Sequence, residues 1–285
     1  MRPLAALKAL PDTEAASLPI GLARAGLGVA TLLGAAEMAR GLKALHTPGV
    51  LRIPRFESLP VLPQSAVAVF LGAWALASIA LLLGWHTRTA GVLLIGFQAY
   101  ALALDHQLYS NHLYLMALFT LLLTLADSGA SFSLDAHRRG SVPYIPAWPV
   151  ALMRVLISIV YSFAVLAKLN AFFLSGIVLR QNMKVPGMEH LPNWVFMILA
   201  LASVATEAFL AYAFWRKRLR VFAFLVGLGF HVTIVFTMWL FPDLLTFAVI
   251  MGSAYLAFFS RFRPAELGLA LPDRDGEGLA LQLSR

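Results

Sequence analysis

Apolar residues run along the chain in long stretches bounded by Pro, Gly or charge, at 18–40, 65–84, 88–105, 109–126, 147–173, 194–214, 219–240 and 243–260. Each is close to the ~17–25 residues that carry a helix across a bilayer. The pattern predicts an all-α integral membrane protein, a polytopic bundle of about eight transmembrane helices. The gaps from Gly84 to Arg88 and from Asp105 to Tyr109 are so short that they force antiparallel neighbours or, in the second case, a re-entrant element near 105–111. An N-terminal segment, 1–17, and a polar C-terminal tail, 261–285, flank one membrane domain, 18–260. Arg2 and Lys8 ahead of the first apolar run give it the look of a signal peptide, but its length and the spans that follow favour a retained anchor. No internal repeat and no linker for a second domain stand out.

Composition agrees. Of 285 residues, 60% are hydrophobic and 13% charged, which excludes an ordinary soluble enzyme. The absence of cysteine excludes disulfides, thiolate nucleophiles and Cys-ligated metal, so redox chemistry would need a bound cofactor. The net charge of +8 is no nucleic-acid signal, because the basic residues fall mainly in short segments between spans. With eight spans, Arg88, Arg138, Arg139, the 216–220 run, Arg261 and Arg263 share one side with both termini, while Arg40, Lys43, Arg52, Arg55, Arg180 and Lys184 lie opposite. That bias predicts cytoplasmic termini, and the Ala/Leu/Arg-rich usage points to a bacterial inner membrane.

A charge at the bilayer centre costs at least ~2.5–3.5 kcal/mol, so ionisable groups within the spans are informative. Arg24, Arg154 and Glu207 each sit ~8–10 Å from the cytoplasmic ends of spans one, five and six. They are expected to form a structural ion network tying those spans together. Glu37 also falls within a span. Lys168, ~8 Å below the outer boundary, His112, one turn into span four, and His231, ~13 Å deep, are placed to line one cavity open to the outer side. Lys168 either snorkels to the interface or is a desolvated amine, whose neutral form an apolar wall and neighbouring cations favour, leaving it able to act as a base near neutral pH. Each histidine taken singly reads more often as a hydrogen-bonded core group than as a catalyst. No HExxH motif or paired histidine at i+4 signals a metal, and none is predicted. Trp194, Trp215 and Trp239 mark an interfacial belt, Phe222, Phe224, Phe230 and Phe236 lipid contacts or packing, and Gly227 and Gly229 close helix approach.

Two blocks carry a resemblance. Residues 109–115, YSNHLYL, followed by TLAD at 124–127 and FSLD at 132–135, resemble the Asn-His-Tyr-Leu helix and Ser-x-Asp loop of the vitamin K-dependent γ-carboxylases and their bacterial relatives, the horizontally transferred transmembrane domain (HTTM) group. Residues 161–176, YSFAVLAKLNAFFLSG, are similar to the family's K-L-[ND]-x-x-[WF]-x-x-G element, with Phe173 where tryptophan is common. The resemblance implies a helical domain in which Lys168 is the base that deprotonates a quinol and His112 stabilises the charged intermediates. It makes Asn111, Tyr114 and Asn170, with His231, groups that bind or position a vitamin K-like quinol. The family's extramembrane β-rich region has no counterpart after residue 260, so a bacterial member lacking that domain is expected, acting on a small, lipidic or peptide substrate. Two other functions stay open: a non-catalytic membrane partner or maturation factor binding a protein or peptide, and a small-molecule or lipid carrier.

Overall fold

The computed structural model describes residues 12–238 and 243–265. Trp239 and the tail from 266 onward lie outside the described residues. Among the described residues there are eleven α-helices: α1 Ser17–Ala44, α2 Gln64–Leu83, α3 Thr87–Leu104, α4 Asn111–Leu125, α5 Leu134–Arg139, α6 Ala147–Lys168, α7 Ala171–Leu174, α8 Ile177–Asn182, α9 Asn193–Ala213, α10 Arg220–Thr237 and α11 Asp243–Tyr255. Six of them, α1, α2, α3, α6, α9 and α10, are long and apolar enough to cross a membrane. The two remaining expected spans are shorter, α4 with 15 residues and α11 with 13, the latter extended by a 3-10 turn at Leu256–Phe259.

Local chemistry sets the ends. Prolines 63, 146 and 192 stand immediately before α2, α6 and α9, where a missing N–H costs nothing. The Ser110 and Ser133 hydroxyls accept from the amides of Leu113 and Ala136 and so cap α4 and α5. α1 is the central element. In its most apolar window 56% of residues are buried, against 17% for α10, so α10 presents most of its surface outward. The Trp74 indole of α2 donates to the Thr31 carbonyl of α1 at 3.0 Å and pins the two helices together.

A three-stranded sheet of order β2-β1-β3 closes one end of the bundle. β1 (Thr13–Ala16) pairs antiparallel with β2 (Tyr144–Pro146) and with β3 (Phe262–Pro264), Ala15 facing both Ile145 and Phe262. Strand β1 lies within the expected N-terminal segment, 1–17, and β3 within the expected tail, 261–285. The connection at 105–111 is not re-entrant. It is a 3-10 turn, His106–Leu108, packed against the 51–55 segment through Asp105, whose carboxylate accepts from the Ile53 amide at 2.9 Å.

The interrupted element lies elsewhere. α6 stops at Lys168 because Asn170 caps the next turn, its Oδ1 accepting from the Phe173 amide at 2.9 Å and its Nδ2 donating to the Ala167 carbonyl at 2.8 Å. Gly176, with φ of +79°, then turns the chain into α8, and a Cβ there would come within 2.6 Å of the Met197 amide nitrogen. The α7–α8 segment consequently folds against the N-terminal half of α9.

Candidate functional site

Lys168 ends α6, and its Nζ donates to Oε1 of Glu207 on α9 at 2.6 Å. The carboxylate is buried and the ammonium retains a quarter of its side-chain exposure. On α9, Leu199, Ala202, Ser203 and Thr206 follow i, i+3, i+4, i+7 spacing, as do Phe230, Thr233, Ile234 and Thr237 on α10. Those two faces, with Phe173 and the α8 region, enclose a cavity of about 370 Å³ in which Lys168 is the one charged lining group among the described residues. The Thr206, Thr233 and Thr237 hydroxyls each donate to the carbonyl four residues back, leaving their lone pairs to accept. Oε2 of Glu207 is buried without a hydrogen-bond partner.

His231 faces away from this cavity. Its Nε2 lies 3.2 Å from the Tyr161 hydroxyl, which is bonded in turn to the Tyr255 hydroxyl, and Phe247 packs edge-on against the imidazole at 5.2 Å between ring centroids. Gly227, one turn before His231, admits the Tyr255 ring: a Cβ there would lie 2.9 Å from its Cε2. Gly229 meets no neighbour within 4 Å, so only the first of the two glycines serves helix approach.

His112 occupies a third position. Its Nε2 lies 2.7 Å from Oε2 of Glu37 on α1, and Oε1 of the same carboxylate accepts from the Thr246 hydroxyl of α11. Glu37 thus joins three helices. α1 and α6 both start from the sheet, and Glu37 and Lys168 each lie ~30 Å along them, so the two carboxylate–base pairs share a level near the far end of the bundle. They do not share a cavity: among the described residues none of His112, Asn111, Tyr114, Asn170 or His231 lines the space beside Lys168. Asn111 and Tyr114 are exposed on α4, and Asn170 is spent on capping.

The ion network expected among Arg24, Arg154 and Glu207 does not form. The Arg24 guanidinium donates to the carbonyls of Leu81, Leu82 and Phe132, closing the ends of α2 and the 127–133 loop around it. Arg154 donates to the carbonyls of Ala257 and Ser260 and stacks on the Phe262 ring at 4.0 Å. Helix ends leave carbonyls without intrahelical partners, and a buried guanidinium with five donors satisfies several at once. Glu207 is set apart from both because α9 is displaced along the bundle relative to α6. The Trp215 indole, two residues beyond α9, meets the Ser158 hydroxyl at 2.7 Å, eleven residues into α6. The neighbour of Lys168 is therefore a carboxylate and not the cations foreseen.

At the sheet end, the FSLD loop has a structural task. Asp135 accepts from the amides of His86 and Thr87 and from the Thr87 hydroxyl, capping α3 at 2.8–3.0 Å. Partial burial pushes this carboxyl up, but the Thr87 and His86 hydrogen bonds, with Arg139 nearby, outweigh it and hold the group below its ordinary 3.8.

A polytopic helical membrane protein with a Lys–Glu ion pair whose lysine lines an apolar cavity is the class that this fold and site define. The HTTM domain model matches residues 12–255, and the chain belongs to that family, a membrane protein of the carboxylase-like group. No solved structure matches the chain.

Proposed function

We propose that the protein is an integral-membrane enzyme in which Lys168 and Glu207 act together as a proton-accepting pair on an acidic hydroxyl or carbon centre delivered into the apolar cavity. The observation that carries this reading is the 2.6 Å contact of Glu207 with Lys168, the lysine that lines that cavity. An ammonium–carboxylate pair and its proton-shifted amine–acid form use the same hydrogen bond, and low-dielectric surroundings bring the two closer in energy than in water. Nζ can release a proton to Oε1 and take another from a group in the cavity. Oε2, buried and without a partner, is a second acceptor position on the same carboxylate.

The lining suits a prenylated quinol: apolar walls for a tail, hydroxyl lone pairs and the Lys168 ammonium for a polar ring. Such a cofactor supplies, when bound, a phenolic proton at the cavity and the reducing electrons that a chain without cysteine does not provide. Lys168, Thr206, Thr233 and Thr237 would hold its polar ring. His112, oriented by Glu37 and Thr246, is a separate unit at the same level whose imidazole can stabilise negative charge at the α1–α4–α11 seam. We place the sheet end on the cytoplasmic side of a bacterial inner membrane, since it carries Arg88, Arg138 and Arg139. The cavity then lies toward the outer side.

The test is purification in mild detergent followed by lipid extraction. A quinone that co-purifies with the unaltered chain and is lost in a folded Lys168→Met variant supports the reading. A Lys168→Met/His112→Ala double variant that fully complements a deletion strain would end it.

A further inference from the structure

The displacement of α9 and α10 along the bundle leaves a space below their connecting turn. The turn stops at the level of Ser158, ~16 Å along α6 from the sheet, and the volume between it and β3 is an open cavity of about 640 Å³. Four cationic side chains line it: Arg154, Lys217, Arg220 and Arg261. Among the described residues no Asp or Glu lines it, and none of the four forms an ion pair. Arg154 and Arg220 spend donors on carbonyls, of Ala257, Ser260 and Phe214, and are close enough for their charges to repel. Carbonyl oxygens satisfy hydrogen bonds but supply no net negative charge, so the excess positive charge is uncompensated in partly desolvated surroundings.

Val221 and Phe259 give the same cavity an apolar wall, and α10 beyond Val221 is largely exposed, with Leu225 60% accessible. A phosphate with an attached hydrocarbon chain matches both halves: oxygens for the guanidinium forks, acyl chain along the outward face of α10. Free phosphate would meet the cations but leave the apolar wall without a partner.

We propose that this cavity is a binding site for one anionic phospholipid, its phosphate held by Arg154, Arg220, Lys217 and Arg261 and its acyl chain lying on α10. The site is remote from Lys168 and independent of the catalytic reading.

The experiment uses the full chain, purified in mild detergent and delipidated by extended washing. Thermal unfolding is followed while phosphatidylglycerol, phosphatidylcholine or inorganic phosphate is added. Phosphatidylglycerol is expected to raise the melting temperature saturably, and phosphatidylcholine and inorganic phosphate to leave it unchanged. Lys217→Gln/Arg261→Gln, which spares the two arginines bonded to backbone, is expected to weaken the phosphatidylglycerol effect by about twenty-five-fold in concentration, roughly fivefold per charge. Arg138→Gln/Arg139→Gln, on α5 at the same end of the bundle, is the control and should bind as the parent does. Equal stabilisation by phosphatidylcholine, or equal weakening in the control, overturns the site. Stabilisation by inorganic phosphate alone assigns the cations to a free anion and overturns the lipid.

Discussion

Lys168 at the end of α6 and Glu207 two-thirds of the way along α9 meet at 2.6 Å, although counting residues from either helix end assigns them to opposite halves of the bilayer. Removing one partner strands the other. Glu207→Ala is expected to lower stability by about 3–5 kcal/mol and to reduce accumulation in the membrane. The compensated variant Lys168→Met/Glu207→Leu should regain most of that stability while remaining inactive. Thermal melting monitored by size-exclusion chromatography reads the first effect, and complementation the second.

Glu37 holds both the His112 imidazole and the Thr246 hydroxyl. Glu37→Leu removes the carboxylate acceptor from His112 and is expected to cost about 1–3 kcal/mol. Glu37→Gln, which keeps one acceptor oxygen and the shape, should cost less than half as much. Melting temperatures of the two variants side by side decide it, and equal losses would show that the retained shape and single acceptor oxygen contribute nothing without the carboxylate's charge and second oxygen.

The Asp135 cap carries a pH signature. Its carboxyl is held lower in the folded chain than in the unfolded one. The stabilisation is therefore complete above the ordinary 3.8 and is lost as pH falls through the lower folded value, where protonation weakens the acceptance from Thr87 and His86. Asp135→Asn should melt earlier than the parent at pH 6, and the gap should narrow as pH falls below about 4. A gap constant from pH 6 to pH 3 would contradict the assignment.

Gly176→Ala adds a methyl group where φ is +79° and backbone atoms of Phe196 and Met197 lie 2.6 Å away. Backbone strain and overpacking each cost about 1–3 kcal/mol. The variant should melt at lower temperature and, because α8 shapes the cavity wall, hold less of any co-purified quinone. Gly140→Ala, which meets nothing within 4 Å but shares a positive φ, separates strain from crowding.

The spans were legible in the sequence because lipid selects for uninterrupted apolar length, and the helices α1, α2, α3, α9 and α10 begin and end within a few residues of the expected limits. Partnership was not legible. Glu207, Arg24 and Arg154 were matched on the premise that every helix starts at one plane, whereas the Ser158–Trp215 contact shows α9 shifted along α6. Glu37 stood out as a carboxylate within an apolar run, yet no local spacing tied it to a histidine 75 residues on. The rule that a buried charge needs a complement would have favoured Glu37–His112, since depth alone cannot choose among partners. Tyr161 and Tyr255 were invisible because a tyrosine in an apolar run reads as core until its hydroxyl finds a neighbour.

The sheet β2-β1-β3 gathers the entry of α1, the entry of α6 and the exit of the last helix into one clasp, fastened by the Arg263–Glu14 pair at 3.0 Å. Translation reaches β3 only after every helix of the described bundle has been made, so the clasp cannot shut until the whole bundle has been synthesised. Insertion and locking are separate events, and a nascent chain stalled before Phe262 would sit in the bilayer with its hydrophobic segments made but the buckle undone.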